Sequence, residues 1–439
     1  MSLYTDWMEK LEQNDFTVGI LGLGYVGLPL AVTFALKNVK VLGFEKSTGK
    51  VRDINAGKNY IADVADDDLK KVVSNKHLSA TDDFSRLSEC DAVLICVPTP
   101  LDRFKKPDMS YIESACRSIG NSMRRGMFIA LESTTYPTTT ENFMLPILEE
   151  VSGMKCCEDF FLAYSPERVD PGNKSYKTDN TPKVVGSIGE DAREIALKLY
   201  GKAIKQLYPV SSPKAAEMVK ILENTYRLVN ISLINELALL SGKMGINIWE
   251  VIDAAKTKPY GFQAFYPGPG IGGHCIPLDP FYLEYIAKNF NFDLSMIHTA
   301  GQINTLMPHR MMNKIMFALN RMGKSVNGSK ILFLGIAYKP DIGDSRESPA
   351  LMVMDEIQRK RGIVLFHDPY IKEAESESGN RYTGKDLSDE LVQEVDCVVF
   401  STNHSVFDVN HIVEKASLVV DLRNAVKNVN IENEKVFKL

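Results

Sequence analysis

The segment Gly272-Gly273-His274-Cys275-Ile276-Pro277-Leu278-Asp279-Pro280 places one thiol between a glycine pair and an aspartate four residues on. Glycines allow a tight turn and close approach of a ligand, so a cysteine there is offered to a substrate as a nucleophile; the plainer alternative is an inert thiol beside a Gly/Pro turn. Lys220 and Asn224 lie four apart and share one face of a largely apolar helical pattern. A cation and a carboxamide so placed would stabilise the oxyanion of an intermediate formed at a thiol, although a lone lysine near a helix start is often simply solvated.

A second constellation binds rather than reacts. Gly22-Leu23-Gly24-Tyr25-Val26-Gly27 follows an apolar run, and Glu45 closes the next run eighteen residues after the last glycine. The glycines let a backbone turn approach a pyrophosphate at a helix N-terminus, and the acid accepts hydrogen bonds from a ribose diol while repelling a 2′-phosphate. The expectation is NAD, with Lys50 available to neutralise the diphosphate and Lys46 close enough to blur the choice against NADP. Ser165-Pro166-Glu167-Arg168 ends another run with a carboxylate and a guanidinium, either a ligand contact or a surface ion pair. Val97-Pro98-Thr99-Pro100 and Ser133-Thr134-Thr135 offer hydroxyls at strand ends, where α/β sheets bind ligands; singly they are ordinary turns. Tyr338 to Pro349 packs Lys339 and Arg346 among Asp341, Asp344 and Glu347, a density that suggests phosphate and ribose recognition; the plainer alternative is a solvated charge run.

Elements that could hold these groups are visible as short Val/Ile-rich runs at 16–21, 39–44, 92–97, 127–131 and 161–164, continuous rather than alternating. Such runs belong to parallel strands covered on both faces, hence an α/β domain. Ser212-Pro213 starts a long helical pattern that reaches about Met244, closed by Gly242 and Gly245, with a second helix over 248–255. A helix of that length, apolar on most sides, is either a spine that packs against a second subunit or one buried within its own chain. Strand runs return at 331–335, 363–366, 395–400 and 418–422, whereas 373–389 reads as a solvated loop and a helix start without function. The expected domains are 1–210, 211–324 and 325–439.

The 439 residues are 44% apolar and 24% charged, with 51 Lys and Arg against 56 acidic residues. That profile is globular, and the net charge of −5 argues against a general nucleic-acid binder. No apolar run approaches the length of a membrane span, and the polar, acidic first residues lack a secretory pattern, so the expected location is the cytoplasm. Seven cysteines without a CxxC pair fit free thiols, and the adjacent Cys156 and Cys157 cannot build a zinc site, so no metal is expected.

In order along the chain, GLGYVGLPLA (22–31), CVPTP (96–100), EST (132–134), SPER (165–168), the Lys220/Asn224 helix with Asn235-Glu236, GPGIGGHCIPLDP (268–280) and YKPDIGDSRESP (338–349) resemble the UDP-glucose/GDP-mannose dehydrogenase superfamily. The resemblance implies two Rossmann-like doubly wound parallel-sheet domains, for NAD and UDP, joined by a long central helical spine that forms a dimer. It also implies NAD-dependent oxidation of a nucleotide sugar at C6. Cys275 would be the nucleophile, with Lys220, Asn224 and Asp279 around the reacting carbon, and Glu167 and Thr134 handling water and proton transfer. Arg346 would reach the cofactor, and Gly22, Gly24, Tyr25, Val26, Gly27, Glu45, Lys50, Pro98, Thr99 and Thr134 would line it. Glu167, Arg168, Lys220, Asn224, Tyr266, Gly272, Tyr338, Lys339 and Arg423 would bind the substrate. FYPGPGIGGHCIPLDPFYL and SPERVDPGN are similar to the branch acting on UDP-N-acetylhexosamines, especially UDP-N-acetylglucosamine, with UDP-glucose and the galacto- and manno-configured acetamido sugars as alternatives. Thr138 stands where many relatives have glycine, and Lys256-Thr257-Lys258 where many carry an arginine directed at a neighbouring subunit. Two other readings stay open: a two-electron hydroxyacid-type dehydrogenase, which needs no cysteine, and a silent NAD- or UDP-sensing protein.

Overall fold

The computed structural model describes residues 2–439 except 103–105, 171, 174, 274, 275 and 428–434. The continuous apolar runs form buried parallel strands: β1 (Thr17–Leu21), β2 (Lys40–Phe44), β3 (Leu78–Thr81), β4 (Ala92–Ile95), β5 (Phe128–Leu131) and β6 (Phe161–Tyr164). With β7 (Lys183–Ser187) and β8 (Leu207–Val210) they make an eight-stranded sheet in the order β3-β2-β1-β4-β5-β6-β7-β8. Among the described residues of this sheet, only the β6–β7 pairing is antiparallel. Ala92 and Leu94 of β4 belong to one buried apolar cluster, Val93 and Ile95 to another. A sheet covered on both faces gives this division, and it is why the strands read as unbroken apolar runs.

The last third repeats the pattern. Strands β9 (Lys330–Leu334), β10 (Ile363–His367), β13 (Cys397–Phe400), β14 (Val419–Asp421) and β15 (Val436–Lys438) form a parallel sheet ordered β10-β9-β13-β14-β15. Both sheets are therefore Rossmann-like, each with side chains of one strand alternating between two cores. The segment 373–389 departs from the sequence expectation: it contains an antiparallel hairpin, β11 (Glu373–Glu375) and β12 (Arg381–Thr383). Its middle residues Ala374 and Tyr382 point inward and are buried, while the flanking charged residues face solvent.

Contacts divide the chain into two compact units, Met1–Glu223 with Phe281–Asn291, and Asn224–Pro280 with Phe292–Leu439. The 32-residue helix Pro213–Met244 contributes to both and ends at Gly245, whose φ of +70° is the left-handed turn that stops a helix. It is not buried within its own chain, since Leu222, Tyr226, Leu233, Leu237 and Leu240 are exposed. The helix Ile248–Ala255 follows as the sequence suggested, capped by Asn247. Among the described residues no helix is long and apolar enough to cross a membrane.

The helix Leu3–Gln13 packs under the first sheet through Trp7, which is buried, meets Phe16 and Phe128, and donates from Nε1 to the Gly126 carbonyl at 2.6 Å. Trp7→Ala removes this anchor and leaves a cavity, and denaturant unfolding should show a loss of about 3–5 kcal/mol for that unit.

Candidate active site

The glycine turn after β1 is shaped by backbone contacts. Gly22 has φ +88°, and a side chain there would meet the Cys96 carbonyl oxygen at 2.5 Å; one at Gly27 would meet the Gly22 carbonyl oxygen at 1.8 Å. Gly24 faces open space, with nothing within 4 Å of where a side chain would stand. Glycine there is unnecessary for the chain itself but leaves the approach a pyrophosphate requires, at the start of the helix Gly27–Ala35. At the end of β2, Glu45 accepts from the amides of Leu23 (3.4 Å) and Ser47 (3.1 Å). Lys50 stands 4.0 Å from Glu45 and 5.5 Å from the Tyr60 ring, beside the acid that would take the ribose. Tyr60, which sequence reasoning missed, donates to the Leu23 carbonyl at 2.6 Å. These residues fit NAD: an open glycine, a helix N-terminus and an acid at the second strand end. Tyr25 and Val26 lie in this turn, Tyr25 half exposed.

The ends of β4 and β5 carry the next candidates. Pro98 and the buried Thr99 follow β4, and the Thr99 carbonyl accepts from Tyr282 at 2.8 Å. Thr134 follows Glu132 and Ser133 at the end of β5; Ser133 Oγ donates to the Val97 carbonyl at 2.8 Å, tying the two strand ends together. Glu132 is fully buried. Lys183 of β7 donates to it at 2.5 Å, and the Tyr200 hydroxyl donates as well. Burial pushes the Glu132 carboxyl up, opposed by Lys183 and Tyr200. Lys183 also reaches the Pro166 carbonyl at 3.3 Å.

That carbonyl begins the Pro166–Arg168 turn. The Glu167 carboxylate folds onto the amides of Arg168 (2.8 Å) and Val169 (2.7 Å), while its carbonyl accepts from Lys220 at 2.7 Å. Lys220 is thus a buried side chain docked on the turn that carries Glu167, and the solvated alternative does not apply. Arg168 pairs with Glu223 at 2.5 Å and donates to the Pro182 carbonyl at 2.7 Å, so the ion-pair alternative holds for it, with its partner on the long helix. One turn before Lys220 on the same helix, the buried Glu217 accepts from the amides of Thr138 (2.6 Å) and Thr140 (2.9 Å). Burial drives its pKa up to about 7 despite those bonds. They hold Thr138 at φ +87°, a conformation that suits glycine.

Within the other unit, Asn224 donates to Asp279 at 2.5 Å, both buried; these are two of the residues that the family resemblance groups. Cys275 and His274 lie outside the described residues, but their glycines do not. A side chain at Gly272 would come within 2.7 Å of Tyr338 Cβ and of the Glu347 carbonyl oxygen, and one at Gly273 within 2.9 Å of the Tyr338 ring. Gly273 also donates to the Arg346 carbonyl at 3.1 Å. Glycine at 272 and 273 therefore permits the backbone at those two positions to lie directly on the 338–349 segment. Arg346 pairs with Asp344 at 2.6 Å, and Tyr338 closes that loop by donating to the Asp344 carbonyl, with Lys339 next to it. The guanidinium of Arg423 packs on Gly268, whose amide is held by Asn235 Oδ1 at 3.0 Å. Burial draws Arg423 below the ordinary arginine range but leaves it cationic at neutral pH. Tyr266 stacks on Trp249 at 5.9 Å, and Lys258 is exposed beside Tyr260.

Matches to known proteins fall in three consecutive stretches of the chain. Models of the UDP-glucose/GDP-mannose dehydrogenase family match the chain with its NAD binding domain at residues 16–204, its central domain at 214–306 and its UDP binding domain at 332–428. A UDP-N-acetyl-D-mannosamine dehydrogenase of Pyrococcus horikoshii is 36% identical over 416 residues, covering 93% of this chain and 96% of that one. A UDP-N-acetyl-D-glucosamine 6-dehydrogenase of Pseudomonas aeruginosa is 35% identical over 82% of this chain and 84% of its own. The solved NDP-N-acetyl-D-galactosaminuronic acid dehydrogenase of Methanosarcina mazei superposes with a TM-score of 0.82 at 33% identity, covering 100% of this chain and 97% of that one.

Gly24→Ala places a methyl group where the chain has only open space, so it should leave the melting temperature unchanged. The same methyl intrudes on the cofactor's approach, and NAD affinity measured by titration should fall by roughly tenfold or more, about 1.4 kcal/mol.

Proposed function

Because the chain belongs to the UDP-glucose/GDP-mannose dehydrogenase family, whose members are NAD-dependent UDP-sugar dehydrogenases, we propose that it oxidises C6 of a UDP-N-acetylhexosamine in two steps to the uronic acid. The observation that carries this reading is the glycine pair Gly272-Gly273, next in sequence to His274-Cys275, lying on Tyr338 and Glu347 in the stretch that matches the family's UDP binding domain. Bound NAD supplies the hydride acceptor, twice per sugar.

Cys275 is the nucleophile: its sulfur bonds to the C6 aldehyde to give a thiohemiacetal, and loss of the second hydride leaves a thioester. Water then cleaves the C–S bond, releasing the carboxylate and the free thiol, with Glu167 as base and Thr134 as its hydroxyl partner. Lys220 and Asn224 stabilise the oxyanions; Asn224 is oriented for this by Asp279, which also assists removal of the alcohol proton through water. Tyr338, Lys339 and Arg423 hold the nucleotide, and Arg168 acts by bracing the Glu167 turn.

Within the acetamido class we take the gluco-configured sugar as the substrate, on the likeness of the segments 265–283 and 165–173 to that branch. Relatives named for N-acetylmannosamine and N-acetylgalactosaminuronic acid make the other configurations the natural comparison. The exposed apolar side chains along Pro213–Met244 support a homodimer formed on that helix, since a monomer would leave the stripe in water.

An NADH assay over UDP-glucose and the gluco-, galacto- and manno-configured UDP-N-acetylhexosamines should give the highest kcat/KM for UDP-N-acetylglucosamine and two NADH per sugar consumed. Cys275→Ala should form no uronic acid. A ratio of one NADH, or full activity without the thiol, would replace this mechanism with a two-electron oxidation.

A further inference from the structure

His404 lies just past the end of β13 and is 1% exposed. An imidazole in that setting must find partners for both ring nitrogens, since an unsatisfied buried polar atom costs roughly 1–3 kcal/mol. Nδ1 is 3.0 Å from the backbone N–H of Asp341, a group that can only donate, so Nδ1 accepts and carries no hydrogen. Nε2 is 3.1 Å from Asp368 Oδ2, an acceptor, so Nε2 carries it. The partners on the two sides thus specify one neutral tautomer.

Both partners fix the loop that presents Tyr338 and Lys339: Asp341 lies in it, and Asp368, just past β10, is bonded to it. Asp368 Oδ2 also accepts from the amides of Ile336 (2.7 Å) and Ala337 (3.1 Å), and Thr402 Oγ1 donates to the Ala337 carbonyl at 2.5 Å. His404 holds the far end of the same loop at Asp341, which sits at φ +62°. A non-glycine residue in the left-handed region stays there only when its surroundings require it. The groups facing the imidazole are Asp368, the Asp341 carboxylate with Oδ1 3.9 Å from Nδ1, and the Tyr370 ring at 5.2 Å. Asp341 Oδ1 is itself held by the Ser405 amide at 2.8 Å and hydroxyl at 3.1 Å.

We propose that His404 is a positioning residue for the nucleotide sugar. Its Nδ1 is the acceptor that holds the Asp341 amide in the left-handed backbone, and its Nε2–H ties that end of the loop to Asp368, which holds the other end at Ile336 and Ala337. The 336–341 loop that presents Tyr338 and Lys339 is thereby fixed before the sugar arrives. The proposal rests on the reading that Tyr338 and Lys339 bind the nucleotide.

Titration calorimetry of the intact protein with UDP-N-acetylglucosamine, without NAD, tests both readings separately. His404→Asn offers a carboxamide oxygen near the place of Nδ1, so its affinity should lie within about threefold of wild type. His404→Leu offers no acceptor and should bind roughly tenfold more weakly, and in turnover should raise KM for the sugar while leaving kcat little changed. If folded His404→Leu binds the sugar as wild type does, or if His404→Asn binds as weakly as His404→Leu, the proposal falls. If folded wild type binds no UDP-sugar, the nucleotide reading falls, and this inference with it.

Discussion

The buried carboxylate of Glu132 can stay in the core only with partners, and satisfying it ties together the parts of the first unit that matter for chemistry. Lys183 answers it from β7, Tyr200 from the helix Glu190–Gly201, and the same lysine extends to the carbonyl of Pro166. Removing one member would leave a charge uncompensated in the interior, so the three segments are fixed together. Glu132 immediately precedes Ser133 and Thr134, and Pro166 immediately precedes Glu167. One buried ion pair therefore sets the backbone from which two candidate catalytic side chains project.

The same solution recurs. Loops leaving the C-terminal ends of parallel strands carry amides that no neighbouring strand can take, and in this chain buried carboxylates take them. Glu217 accepts those of Thr138 and Thr140, Asp368 those of Ile336, Ala337, Tyr370 and Ile371, and Asp421 those of Arg423, Ala425 and Val426. The loops so held include residues in the left-handed region, Thr138, Asp341 and Glu347, where a side chain is otherwise disfavoured. Glu347 adds a carboxyl hydrogen-bonded to Glu377, which with burial drives its pKa up to about 7.

What the sequence made legible was local. Strands buried on both faces appear as unbroken Val/Ile runs, and the glycine turn at 22–27 can be read because its steric demands fall within six residues. Strands β3 and β7 were harder, since LSAT and KVVGS carry polar residues, and β8 has exposed ones. The hairpin at 373–383 was hidden because three-residue strands with one inward side chain each, Ala374 and Tyr382, look like a charged loop. Helical spacing placed Lys220 and Asn224 on one face. It could not assign their partners, because the Glu167 carbonyl and Asp279 stand 53 and 55 residues away in the chain. Lys183, Glu217 and His404 went unnoticed for the same reason: nothing near them in sequence shows that a buried charge or a strained amide waits for them.

Glu45 carries two duties that pull apart when the cofactor changes. Its carboxylate is the proposed acceptor for the ribose diol, a role that a 2′-phosphate would oppose, yet the same two oxygens terminate the amides of Leu23 and Ser47 on either side of the glycine turn. A lineage or a laboratory selection moving toward the phosphorylated dinucleotide would have to give up this acid, and would loosen the glycine turn before gaining anything from a new cation. On that reading cofactor preference is buffered against single substitutions, because the residue proposed to discriminate is also one that shapes the glycine turn.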